Sequence, residues 1–328
     1  MNSKDTGFVI AICLLFISLF FFNHLVFLGQ NLEAGSFEEY ALGDYEVHKQ
    51  KAMSYLGEEC IREVGCANQP YLFHLLAAPF SIRDSGFFFF VMLFIGVVIP
   101  FTVFKVTGEK WSVFFYFTVS NFFWMARGTF TNITAIWFVL LFFVFKKHWQ
   151  RGLLLLLSIL THGYGFYLAF LTCALIYFFE TDWGKVFPSF IAGCDGFTGK
   201  AKEIVTTRVT EHTPLTSAKT SSAMNAGNLL SVFWLTAPLP FFLLGVWGFL
   251  KEKQFAMICL TGLAFIMLGW SWRFLLLIGL LCVVGVSFSF KHLSRKGKYA
   301  LLAMALVMGI IQFYNFWWES AKALGLIC

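Results

Sequence analysis

Asp44, Glu46 and His48 place two carboxylates and an imidazole within five consecutive positions of Gly43-Asp44-Tyr45-Glu46-Val47-His48. Such a set can take a proton from an attacking hydroxyl or hold a divalent cation. The same spacing has a plainer reading. Gly43-Asp44 is a helix start with Asp44 as N-cap, because Tyr45, Lys49, Ala52, Met53 and Leu56 follow at helical intervals. Within that helix Asp44 and His48 share one side and Glu46 points elsewhere. The two carboxylates converge only if the backbone around Asp44 is not yet helical, as at a cap. Asp-x-Glu is a common triplet, so spacing alone favours a capping residue beside a solvated acidic face.

Other polar residues stand where the surrounding sequence is apolar. Asn68-Gln69-Pro70-Tyr71-Leu72-Phe73-His74 leads into the apolar stretch Leu72 to Phe80, with Pro70 suited to a first helical turn. His74 there reads as an interfacial histidine. Arg127 and Arg273 follow Trp124-Met125-Ala126 and Trp270-Ser271-Trp272 at the ends of apolar runs. Cations in such places face a cavity or a partner by default, and the guanidinium fork suits a phosphate. Snorkelling beside interfacial Trp is the competing reading. His162 sits in Thr161-His162-Gly163-Tyr164-Gly165. It is either a cavity wall or a helix-break residue bonded to a carbonyl.

These residues need a scaffold, and composition names it. Of 328 residues 59% are hydrophobic and 13% charged, with 44 Phe. A soluble domain carries about 25% charged residues. Several apolar runs exceed the roughly 18 residues that cross a bilayer as a helix, and helices satisfy their own backbone in lipid. We therefore expect an all-α polytopic membrane protein, 1–328 forming a single transmembrane domain. The run Phe8 to Leu28 is too long for a cleaved signal and reads as the first span. The loop 30–84, which holds a large share of the 18 acidic residues, lies outside. Spans are expected near 86–106, 228–250, 254–271, 273–290 and 299–318. Trp111 to Met125 and Phe130 to Phe145 form a short hairpin. Gly152 to Phe179 is a second hairpin broken at His162, or else one long tilted helix. With a second polar loop at 196–226, the total is nine to eleven spans.

Net charge is +6 and the cations gather in short loops: Lys146 to Arg151, Lys251 to Lys253 and Lys291 to Lys298. The positive-inside rule puts these in the cytoplasm. That accounts for the basic balance and excludes nucleic acid as a partner. Cys13, Cys173, Cys259 and Cys282 read as small core residues. Cys60 and Cys66 are either a disulfide of the outer loop or two thiols. Asn132-Ile133-Thr134 matches a glycosylation sequon inside a span. Walker A, HExxH, GxGxxG and GxSxG motifs are absent.

The order of parts resembles the GT-C class of membrane glycosyltransferases, such as protein mannosyltransferases and aminoarabinose transferases. One span is followed by an outer loop with an acidic pair, here Asp44-Tyr45-Glu46 then His48. The loop re-enters through a Pro-aromatic segment, Gln69 to Leu76. Short span pairs follow, with Arg127 at an outer apex, a Leu-Thr-His-Gly break at Leu160 to Gly163, and a late Arg-Phe-Leu start at Arg273. The chain is short for the class, lacks its soluble C-terminal domain, and has no WWDYG-like motif.

The resemblance implies an inverting sugar transfer from a polyprenyl-phosphate donor to a glycan, lipid or protein acceptor. The site would lie on the extracytoplasmic face of a multi-pass protein of a prokaryotic plasma membrane. Asp44 and Glu46 would be catalytic, with a divalent cation (Mg or Mn) on them or none. His48, Gln69, Arg127, His162 and Arg273 would bind substrate. The alternatives are a membrane transporter or lipid flippase, a polysaccharide polymerase, or an inactive scaffold of the same fold. A transporter would place its polar residues near the midplane in matching halves, whereas the acids here lie in an outer loop.

Overall fold

The computed structural model describes residues 3–31, 44–56, 72–120, 130–161, 163–180, 238–268 and 274–323. Among the described residues the chain is helical, with turns and no strand. Three helices are long and apolar enough to cross a membrane: Gly86–Thr107, Phe274–His292 and Arg295–Asn315. Four shorter apolar helical stretches accompany them, Asp5–Phe20, Asn132–Val144, Leu239–Lys251 and Phe255–Ile266.

The elements are α1 (Ser3–Asn31), α2 (Asp44–Ser54) and α3 (Leu72–Ala77), the last running into a 3-10 turn, Ala78–Phe80. Then come α4 (Asp84–Leu93), a π turn (Phe94–Val98), α5 (Ile99–Thr107) and α6 (Ser112–Val119). α7 (Phe130–Val144), α8 (His148–Thr161) and α9 (Gly163–Glu180) follow. α10 (Leu239–Lys251), α11 (Phe255–Leu268), α12 (Phe274–His292) and α13 (Arg295–Ala323) complete the bundle. The segments 111–125 and 228–250 were expected as spans; of these, 121–125 and 228–237 lie outside the described residues, as do the polar loop 196–226 and the Cys60 and Cys66 thiols.

α12 is the axis. Phe274 and every residue from Leu276 to Phe290 are buried, so an all-round apolar sequence is matched by all-round burial. α10 lies closest to it, because small residues let the backbones touch. A Cβ on Gly285 would overlap the backbone of Gly245, and one on Gly248 would overlap the carbonyl of Gly285. The Ser289 hydroxyl donates across this seam to the Leu244 carbonyl. Close backbone approach through small residues is how helices associate where water supplies no drive between them.

The π turn has a traceable cause in Pro100. Proline has no N–H and its ring crowds the preceding turn. The backbone widens by one residue, and the Ile99 N–H bonds the Phe94 carbonyl instead of that of Ile95. The Ile95 carbonyl thereby loses its helical donor, and the Tyr116 hydroxyl replaces it at 2.7 Å. Tyr116 is fully buried, so the phenol serves as a backbone donor inside the core. Gly96 in the same turn fits under the side chain of Ile17 on α1.

The run 152–179 is divided between α8 and α9, and His162, where the break was expected, lies outside the described residues. Arg151 near the start of α8 and Phe179 near the end of α9 line one cavity, so the helices run antiparallel as a hairpin. The basic turns all meet at one end of the bundle. There Lys110 Nζ reaches Asp5 Oδ1 at 2.9 Å, and Trp111 packs on Phe8 and Phe290. Lys298 lies over the ring of Phe290, and Glu252 bonds His292 at 2.8 Å. Lys146, Arg151 and Lys253 converge at this end as well.

Candidate functional site

α2 begins at Asp44, where the sequence placed a helix start. Its buried face differs from the expected one. His48, Lys51 and Ala52 are buried at i, i+3 and i+4, while Tyr55 and Leu56 are exposed. Among the described side chains of the stripe that follows Asp44 (Lys49, Ala52, Met53 and Leu56), only Ala52 is buried. The reason is a second histidine.

His74 on α3 is fully buried, and its Nε2 lies 2.8 Å from Nδ1 of His48. One ring must donate and the other accept, so the bond requires at least one neutral imidazole. Two nitrogens facing each other at this distance share a proton and leave no room for a metal between them. The rings lie 5.1 Å apart at 28°, and Phe73 sets its edge against both. The bond joins residues 26 apart in sequence, across the segment between α2 and α3. His74 read from sequence as an interfacial residue; its only signal was a histidine in an apolar segment.

α3 is six residues long, roughly 9 Å, and so does not cross. It packs against α7 and α8, and Phe73 touches Phe90 and Phe94 on α4 and the π turn. Pro79 opens the 3-10 turn. Ser81, fully buried, ties that turn down by donating to the Ala77 carbonyl at 2.9 Å. The chain then doubles back so tightly that a Cβ on Gly86 would overlap the Phe80 carbonyl. Leu75, Leu76, Phe80 and Ile82 are exposed on the outer surface of this dip. From Asp84 the chain runs through α4, the π turn and α5, roughly 35 Å of helix, to Thr107 at the basic end. The histidine pair therefore lies toward the other end of the bundle.

Of the residues expected to do chemistry, Gln69, Arg127, His162 and Arg273 lie outside the described residues, as do the side chains of Asp44 and Glu46. The backbone of Asp44 and Glu46 forms the first turn of α2. His48 is 8% exposed. Among the described residues no three His, Cys, Asp or Glu side chains gather as metal ligands. The sequon residues Asn132 and Thr134 are buried in α7.

Comparisons of the chain with protein-family models, with curated proteins and with solved structures find no match.

Proposed function

We propose that the chain is a multi-pass membrane glycosyltransferase of GT-C type, using a polyprenyl-phosphate-linked sugar at its extracytoplasmic face. The observation that carries this reading is the His48–His74 bond. It fixes the helix that opens with Asp44-Tyr45-Glu46 onto the re-entrant segment, toward the end of the bundle away from the basic turns. The positive-inside rule puts the basic turns in the cytoplasm, so the acidic pair faces outward. Nine to eleven spans accommodate this arrangement.

In this reading the acceptor hydroxyl attacks the anomeric carbon of the donor sugar. Its proton passes to the Asp44 carboxylate as the C1–O bond to phosphate breaks. Glu46 shares that work or holds a divalent cation. The departing phosphate is stabilised by Arg127, Arg273 and His162, with Gln69 beside the sugar. His48 holds α2 in place through His74 and so acts as a positioning residue. The bilayer carries the donor's lipid tail, and the acceptor is a glycan, a lipid or a protein.

The test is Asp44→Asn in membranes supplied with a polyprenyl-phosphate pool of radiolabelled sugar, with expression level measured alongside. Wild-type transfer with at least a hundredfold loss in the variant is expected, the scale of a missing general base. Equal transfer by both would reduce Asp44 to a helix cap. Absence of transfer by wild type across donor pools would move the weight to a transporter or a scaffold.

A further inference from the structure

At the basic end a cavity of about 350 Å³ opens between α8, α9 and α11. Three cations line it: Lys146 from the α7–α8 turn, Arg151 from α8 and Lys253 from the α10–α11 turn. Among the described residues no carboxylate lines it. The neighbouring acid, Glu252, is engaged with His292 instead. Arg151 is held by its Nε, which donates to the Phe145 carbonyl at 2.9 Å. α11 starts at the cavity, and Phe255 and Ala256 line it. Their amide N–H groups belong to the first helical turn and have no acceptor within the helix, so a positive helix end adds to the three cations.

Lys253 occupies this place against its backbone preference. With φ of 55° it is left-handed, and its N–H bonds the Leu250 carbonyl while the Gln254 N–H bonds that of Phe249. This is the helix-ending turn that glycine usually supplies. Phe143 and Phe288 line the cavity as well, as do two exposed rings, Phe179 and Phe255, that stack at 6.1 Å. Tyr177 and Phe178 continue that apolar surface.

A site lined by three cations and by apolar side chains, with two exposed aromatic rings among them, matches a molecule with an anionic head and hydrocarbon chains. We infer that this cavity binds the phosphate headgroup of an anionic phospholipid in the leaflet at the basic end, with the acyl chains leaving across Phe179 and Phe255. The inference rests on the multi-pass reading and is independent of glycosyl transfer.

The experiment uses the full chain, delipidated and reconstituted in phosphatidylcholine nanodiscs, with thermal unfolding as the readout. Three conditions are compared: phosphatidylcholine alone, with phosphatidylglycerol added, and with inorganic phosphate added. Phosphatidylglycerol is expected to raise Tm by a few degrees by binding the folded state, and phosphate to do less. The shift should vanish in Lys146→Gln/Arg151→Gln/Lys253→Gln and persist in Lys296→Gln/Lys298→Gln, which removes charge at the same end outside the cavity. Lys253→Gly covers the case in which the triple variant fails to fold. Glycine suits the left-handed backbone, so this variant should unfold at higher temperature in phosphatidylcholine yet gain less from phosphatidylglycerol. No shift with phosphatidylglycerol, equal loss in both charge variants, or an unreduced gain in Lys253→Gly overturns the inference. An equal shift from inorganic phosphate overturns the lipid as its source.

Discussion

The two buried hydrogen bonds that matter most, His48–His74 and Tyr116–Ile95, each involve a side chain with no expected chemical role, His74 and Tyr116. They make different predictions. Tyr116→Phe removes only a hydroxyl, but strands the Ile95 carbonyl in an apolar core. A cost of about 1–3 kcal/mol is expected, the desolvation penalty of an unmet backbone group, read as a lower Tm in detergent. Tyr116→Phe together with Pro100→Ala restores the backbone donor. The double variant should regain part of the loss. Position 100 then carries an N–H that reaches the Ile95 carbonyl in the π register, and the Ile99 N–H reaches it if the turn relaxes to α. No recovery would show that the missing proline N–H is not what leaves this carbonyl to Tyr116. His74→Ala removes a buried partner of His48 and should cost a similar amount, while also loosening α2. His74→Gln keeps a donor and an acceptor and should cost less. In a transfer assay His74→Ala should lower activity beyond its effect on abundance if α2 carries the reacting carboxylate. A fall in abundance alone would leave the pair a structural clamp.

At the scale of elements the α10–α12 seam is the place where one methyl group decides packing. Gly285→Ala pushes a carbon into the backbone of Gly245, and no flexible side chain stands there to yield. Overpacking of this kind costs about 1–3 kcal/mol, and because α12 is buried on all sides the strain has no exposed face to escape to. Gly262→Ala on α11, where nothing lies within 4 Å, is the control and should be neutral. Comparing folded yield and Tm of the two variants checks it. The seam was not legible in advance. Gly245-x-x-Gly248 is visible in the sequence, but nothing local says which helix it meets. The apolar helices themselves were legible, since runs such as 273–290 have one stable answer in lipid. So was the division of 152–179 into two helices, because two glycines and a histidine interrupt an otherwise continuous apolar run. The short re-entrant α3 was half legible: Pro70 and Leu72 announced a helix, but its end at Ala77 depends on Pro79 and on the tight return under Gly86.

For the whole molecule the arrangement of charge is the most informative feature. Five separate stretches of sequence, around Asp5, Lys110, Lys146 to Arg151, Glu252 to Lys253 and His292 to Lys298, are brought to one end by contacts among themselves. Those contacts need no membrane to explain them, and the positive-inside rule groups the same turns on one side from sequence. The agreement was legible because both depend on the number of helices between basic turns. The expected spans put an even number of crossings between each turn and the next, and a single miscounted span would have sent one cluster to the far end. Single cysteines at exposed Lys147 and Lys296 should resist a membrane-impermeant maleimide in intact cells and react after permeabilisation. One at exposed Arg83, just before α4, should react in both. Wild type sets the background from the native thiols. If Lys147→Cys and Lys296→Cys label differently from each other, the span count between α8 and α13 is wrong. If all three label alike, the acidic loop and the basic turns share one side, and an extracytoplasmic site built on Asp44 loses its footing.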